Sequence, residues 1–146
     1  MALSKRRLVA GALGGALGGL AMKAVVRFCD PNSFGLSSKT DANAARRVLG
    51  EAVDQKRAEQ IGATIHYAFG IAVGAGYAAL SDTYPALRAG RGGAFGVGLW
   101  LIGDELAVSA ARLENPSAAN ALSHASALAA HLLYGFIVDA CASSAD

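Results

Sequence analysis

Residues 61–80 read IGATIHYAFGIAVGAGYAAL, a stretch that contains no Lys, Arg, Asp or Glu. A surface helix of a soluble protein carries a polar stripe along one side, and this stretch has none. A helix that crosses a membrane needs about 20 consecutive, mostly apolar residues. Residues 61–80 therefore predict a membrane span.

The composition of the whole chain agrees with that prediction. Of its 146 residues, 53% are hydrophobic and only 16% are charged, whereas a soluble domain usually has about 25% charged residues. This excludes a disordered chain, and a count of two cysteines excludes a disulfide scaffold. A net charge of +2 is too small for a nucleic-acid binder. We therefore expect one membrane domain over residues 1–146, with the lipid bilayer as partner and no nucleic acid.

Three more segments are long and poor in charge, so the chain is predicted to have four spans. The spans cover residues 8–28, 61–80, 92–113 and 121–141. The basic start and the apolar run after it also fit a signal peptide, but no small-x-small cleavage site follows, so a retained helix is expected. Short connections after spans two and three predict that spans two, three and four pack as antiparallel neighbours.

An amphipathic helix is predicted for residues 40–60, between spans one and two. Its apolar positions, such as Ala45, Val48 and Leu49, lie on one side, and charged residues cover the rest. Such a helix suits the membrane surface or the top of a helix bundle, and it could equally continue into span two without a break. The predicted fold class is therefore all-α: an integral membrane four-helix bundle with an additional amphipathic helix.

Glycines recur four residues apart in three of the predicted spans. In lipid, small residues at this spacing let two helix backbones approach closely. We expect these glycines to pack helices within the bundle, or alternatively to form a homo-oligomer through the glycine face of span one. The helix-packing set is Gly11, Gly15, Gly19, Gly70, Gly74, Gly92 and Gly96.

Several ionisable side chains fall inside the predicted spans, where each costs at least ~2.5–3.5 kcal/mol at a helix centre. A rise of 1.5 Å per residue places five of them in one layer near the connection between spans one and two. The predicted intramembrane cluster is Lys23, His66, Asp104, Glu105 and His131. Helical spacing from Gly92 and Gly96 favours Asp104 over Glu105 as the inward acid, and Asp139 is expected to stand alone near the opposite surface.

This cluster admits three interpretations. It is a structural lock in which Lys23 pairs with Asp104 or Glu105, or a path for protons or a solute, since histidine titrates near neutrality. The third is a metal or haem site. The sequence has no H-E-x-x-H motif, no Glu-x-x-His pair within a span and no nucleophile elbow. We therefore expect no catalytic residue, no metal, no cofactor and no enzymatic activity.

Residues 64–77, TIHYAFGIAVGAGY, followed by Tyr84-Pro85, resemble the YagU-like family of small bacterial inner-membrane proteins of unknown function. The resemblance extends to Met22-Lys23, to the glycine-rich start of span three and to His131 with Asp139. It departs at Asp104, where a histidine is more typical. The resemblance implies a four-helix inner-membrane protein that contributes to acid-stress tolerance of the cell envelope.

The sequence thus favours a structural or accessory membrane protein with a buried Lys/His/Asp layer. The alternative is a small channel or proton-linked transporter that uses the same layer. The expected location is the bacterial inner (cytoplasmic) membrane, crossed several times. Lys and Arg residues are packed into short segments near residues 5–7 and 88–91, which favours cytoplasmic termini by the positive-inside rule.

Overall fold

Helices make up most of the structure, a computed structural model that describes residues 4–30, 35–115, 117 and 119–145. In chain order they are α1 (Lys5–Cys29), α2 (Ser38–Leu49), α3 (Gln55–Leu80), α4 (Gly93–Leu99), a π-helix (Trp100–Val108) that continues α4, and α5 (Ala121–Ser143). The described part of the chain contains no strand. The all-α prediction is confirmed.

Three helices, α1, α3 and α5, are long and apolar enough to cross a membrane. They contain the predicted spans 8–28, 61–80 and 121–141 and extend each of them by a few residues. Side-chain caps fix two of the starts: Asp54 accepts a hydrogen bond from the backbone of Arg57, and Asn120 accepts one from the backbone of Ser123.

The amphipathic helix is shorter than predicted. It ends at Leu49 because Gly50 adopts a φ of +93°, a conformation that a helix cannot continue. Residues 55–60 belong instead to α3. The side chains of Val48 and Leu49, on the predicted apolar side of this helix, are exposed.

α2 packs across the first half of α3 rather than standing apart from it. Ala42 and Ala45 of α2 and Ala58 of α3 form a small buried cluster. Gly62 makes the crossing possible, because a Cβ atom there would overlap the backbone of Asp41. α2 therefore covers one end of the helices, hereafter the loop end, where the connection from α1 to α3 lies.

The third predicted span, residues 92–113, is not a continuous α-helix. α4 ends at Leu99, and Trp100–Val108 is π-helical. A π-helix bonds each residue to the fifth along the chain and is usually confined to a single turn. Apolar side chains lie on all sides of this span. Its sequence therefore has no apolar stripe whose spacing would indicate a change from an α-helix to a π-helix.

The central helix is α1, which packs against α3 on one side and α5 on the other. α4 packs mainly on α5 and touches α3 through the rings of Phe95 and Tyr77, whose centroids lie 4.7 Å apart. The prediction that spans two and three are packed neighbours is therefore wrong. The connection after α3 includes a 3₁₀ turn, Pro85–Arg88, and Gly92 and Gly96 then lie close against the backbone of α5. The helices therefore lie side by side in the order α3, α1, α5, α4. A cleft remains between α3 and α4.

Two glycine faces of α1 explain its central position. On one face, a Cβ atom at Gly11 would lie 2.5 Å from the carbonyl oxygen of Gly74, and one at Gly15 would overlap that of Gly70. On the other face, a Cβ atom at Gly18 would lie 2.6 Å from the ring of Tyr134. The face that could have formed a homo-oligomer is thus covered by α3 of the same chain.

Candidate functional site

A cavity of about 640 Å³ occupies the cleft between α3 and residues 93–108. Its walls come from these two segments, and its floor comes from α1 and α5, including Gly19 and Tyr134. Residues 35–44, among them Asp41, line its loop end. Small-molecule sites typically measure about 300–1,000 Å³. The cleft therefore has the size of a ligand site.

The cleft is lined mainly by apolar side chains and opens sideways. Three of its lining residues have large exposed fractions: 39% for Ile65, 63% for Phe69 and 67% for Ile102. They belong to α3 and to the π-helix, so the mouth lies between these two elements. An apolar mouth at the middle of long apolar helices suits access from a lipid phase.

Polar side chains gather at the loop end of the cleft. His66 from α3, Asp104 from the π-helix and His131 from α5 all line it. The side chain of Asp104 is only 7% exposed and that of His131 only 9%. The structure thus brings three members of the predicted cluster to one cavity.

Hydrogen bonding within this group is incomplete. Nδ1 of His131 lies 2.9 Å from the carbonyl oxygen of Ala127, to which it must donate, and 3.6 Å from Oδ2 of Asp104. The second distance is too long for a hydrogen bond. Among the described residues, Oδ2 of Asp104 is buried and has no hydrogen-bond donor.

Gly35 covers the carboxyl group of Asp104, a contact that the sequence did not reveal. A Cβ atom at Gly35 would lie 2.6 Å from Oδ1 and 2.8 Å from Oδ2 of Asp104. Gly35 has a φ of +78°, which disfavours any other residue there. Its backbone N–H donates to Oε2 of Glu114 at 3.1 Å, which holds this segment over the cleft.

Lys23 has a different partner from the one predicted. Its Nζ donates to Oδ2 of Asp41 at 2.6 Å and to the carbonyl oxygen of Leu36 at 2.9 Å, and it forms no ion pair with Asp104 or Glu105. Burial raises the pKa of Asp41 above its ordinary value, while the ammonium group of Lys23 acts in the opposite direction. Asp41 reaches Lys23 because α2 folds back over the loop end, a long-range contact that no local pattern in the sequence indicates.

Glu105 lies away from the cleft. Its Oε1 is 2.6 Å from Nδ1 of His124, and both side chains are one-quarter exposed. Of Asp104 and Glu105, Asp104 is the buried acid, as predicted. The α-helical spacing on which that prediction rested does not hold here, because both residues belong to the π-helix. The predicted cluster thus divides into a Lys23–Asp41 pair, a Glu105–His124 pair and the group of His66, Asp104 and His131. Asp41 lines the cleft together with this last group.

The opposite end of the helices holds a polar network that joins α1, α3 and α5. Arg7 is buried, pairs with Asp82 and donates to Oγ of Ser81 at 2.9 Å. The hydrogen bond from Arg7 lowers the pKa of Asp82 below its ordinary value. Arg88 lies 3.6 Å from both Asp82 and Asp139. Asp139, expected to stand alone, has a partner, and this network ties helix ends together.

The group at the cleft has no metal-site geometry. Within the described ranges, no three or more His, Cys, Asp or Glu side chains are grouped so that they could hold a metal ion. The arrangement at Asp104 is instead that of a polar end on an apolar cavity. Such a site can accept hydrogen bonds from a ligand.

Comparison with known proteins gives one match. A family model described as "Family of unknown function (DUF6789)" matches residues 5–144. No curated protein and no solved structure matches the chain. Nothing in the match links the chain to the YagU-like family or to a bacterial origin, so both stay predictions from the sequence. Because the match covers nearly the whole chain, the protein belongs to the DUF6789 family of unknown function.

Proposed function

We propose that the chain is an integral membrane protein that crosses the bilayer four times. Three helices are suited to crossing by length and composition, and residues 93–108 run alongside α5 as a fourth. Leu13, Leu17 and Leu20 form an exposed apolar stripe on α1, as a lipid-facing surface requires. A bacterial inner membrane with cytoplasmic termini is the location that the resemblance and the basic segments favour.

Within that membrane, we propose that the protein binds an amphiphilic small molecule in the cleft. The apolar part of the molecule lies between α3 and residues 93–108, and its polar head lies against Asp104, His66 and His131. One observation carries this proposal: Oδ2 of Asp104 is buried at the end of an apolar cavity and receives no hydrogen bond from the described residues.

A purely structural lock explains the cleft less well. A lock pairs its charges closely, as Lys23 and Asp41 do at 2.6 Å, whereas Nδ1 of His131 lies 3.6 Å from Oδ2 of Asp104. A buried carboxylate oxygen without a donor costs free energy that a ligand with a donor group would recover. A transporter would use the same site, because a binding protein and a transporter share the step in which the ligand binds. A link to acid-stress tolerance rests on the resemblance alone.

Filling the cleft should weaken binding. Gly98 lines the cleft, and a Cβ atom there meets no atom within 4 Å, so Gly98→Leu adds its side chain to the cavity without a backbone collision. We expect Gly98→Leu to lower the affinity for dodecanol by roughly tenfold, the effect of losing about 1.4 kcal/mol. The measurement is the rise in melting temperature with dodecanol concentration, for the full chain in phosphatidylcholine nanodiscs.

Gly76→Leu is the matched control, because Gly76 also has open space around it but lies on α3 outside the cleft. It makes the same substitution in the same kind of environment, so it should leave the affinity for dodecanol unchanged. Equal affinities in the wild type and both variants would show that the cleft does not bind the probe.

A further inference from the structure

The unpaired polar atoms at the loop end of the cleft are mostly hydrogen-bond acceptors. Nδ1 of His131 donates to the carbonyl oxygen of Ala127, so its Nε2 is an acceptor when the ring is neutral. Oδ2 of Asp104 is a second acceptor, and none of the described residues donates a hydrogen bond to it. His66 adds one more ring nitrogen with a lone pair when neutral, and that side chain lines the same cleft. This end of the cleft therefore suits a head group with several N–H or O–H donors.

The charge at this end is also unbalanced. The ammonium group of Lys23 is held 2.6 Å from Asp41, so it does not pair with Asp104. Glu105 and Glu114 lie near Asp104 and add negative potential there, while the ammonium group of Lys23 acts on Asp104 in the opposite direction. An ionised carboxylate buried without a partner is costly in an apolar medium, and a cation beside it removes most of that cost.

The apolar part of the cleft cannot discriminate between ligands by itself. Lipid tails are as apolar as the cleft walls, so an alkyl chain gains little by moving from the bilayer into the protein. Selectivity must therefore come from the head group. The feature that distinguishes this cleft from the surrounding lipid is the acceptor-rich group at Asp104.

We propose that the ligand is a cationic amphiphile, a long-chain aliphatic amine in its protonated form. Its ammonium group has three N–H donors, which match the acceptors on Asp104, His131 and His66. Its alkyl chain lies along the apolar walls toward the mouth between Phe69 and Ile102. This assignment rests on the proposed function and specifies the head group of the ligand.

The test compares three probes with the same chain: dodecylammonium, dodecanol and dodecanoate. Each is titrated at neutral pH against the full chain in nanodiscs of phosphatidylcholine, which carry no net charge, and affinity is read from the melting temperature. We expect dodecylammonium to bind the wild type at least roughly tenfold more tightly than dodecanol, because a charge-assisted hydrogen bond replaces a neutral one. Dodecanoate should bind most weakly.

Asp104→Asn keeps the size of the side chain and removes its charge, so it should abolish the preference for dodecylammonium over dodecanol. Glu51→Gln removes one negative charge from an exposed position in the turn after α2, and this control should keep the preference. The proposal is overturned if the wild type binds dodecylammonium no better than dodecanol, or if Glu51→Gln loses the preference as fully as Asp104→Asn.

The two proposals fail in different ways. If dodecanol binds, Gly98→Leu weakens it and dodecylammonium has no advantage, the cleft is a binding site and the cationic head group is wrong. If none of the three probes shows binding that Gly98→Leu weakens, the proposed function itself is wrong. The comparison of probes on the wild type decides the matter even if Asp104→Asn does not fold.

Discussion

Gly15→Ala is expected to separate α1 from α3 and to lower the free energy of unfolding by about 3 kcal/mol, the upper end of the range for overpacking. A Cβ atom at Gly15 would overlap the carbonyl oxygen of Gly70 and lie 2.9 Å from its carbonyl carbon. These are backbone atoms of a helix, so no side chain can turn aside to make room. The two helices must move apart, and the contacts of Gly11 and Gly74 are lost with them.

Gly76→Ala provides the control for Gly15→Ala, since both place alanine within a helix. A Cβ atom at Gly76 meets nothing within 4 Å, so alanine there should stabilise α3 by about 0.5–1 kcal/mol. Fluorescence of the single tryptophan, Trp100, can follow unfolding of both variants in detergent. Equal stabilities of Gly15→Ala and Gly76→Ala would mean that α1 and α3 do not pack as described.

Lys23→Met is expected to lower the free energy of unfolding by about 3 kcal/mol, because it leaves one member of a mostly buried ion pair without its partner. The side chains of Lys23 and Asp41 are 20% and 10% exposed. The variant also removes the donor to the carbonyl oxygen of Leu36. Denaturation in detergent, again followed by Trp100 fluorescence, measures the loss.

A second substitution identifies the partner of Lys23. Asp41→Leu added to Lys23→Met should restore most of the lost stability, because no charge is then left unpaired. Asp104→Leu added to Lys23→Met should restore far less of it, since the carboxylate of Asp41 is still left without its ion-pair partner. Rescue by Asp104→Leu and not by Asp41→Leu would instead support the pairing predicted from sequence.

The helices themselves could be predicted because length and absence of charge are local properties of the sequence. Residues 61–80 lie within α3, and the four-residue glycine spacing of Gly11, Gly15, Gly70 and Gly74 corresponds to backbone contacts between α1 and α3. Small residues in an apolar helix have few other roles, so their spacing is informative. Only the structure identifies the helix that packs against each glycine face.

The site was harder to predict because its geometry depends on long-range folding. The layer of ionisable residues was assigned by depth alone, and depth does not tell which way a side chain points. Asp41 pairs with Lys23 because α2 folds over the loop end. Gly62 permits α2 to cross α3 there, but nothing in the sequence distinguishes Gly62 from the other glycines. The π-helix that holds Asp104 changes the period of span three without a signal in its apolar residues.

The central claim, that the cleft between α3 and residues 93–108 binds an amphiphile, is tested most directly by photolabelling. A long-chain amphiphile with a diazirine in its tail is activated in nanodiscs that contain the full chain, and the labelled residues are mapped by mass spectrometry. We predict label on Val73, Phe95 and Leu99, which line the cleft, and excess unlabelled amphiphile should remove it. Label on Leu13 and Leu17, on the exposed face of α1, should persist because lipid contact does not saturate. Cleft residues that stay unlabelled, or whose label resists competition as that of α1 does, would contradict the account.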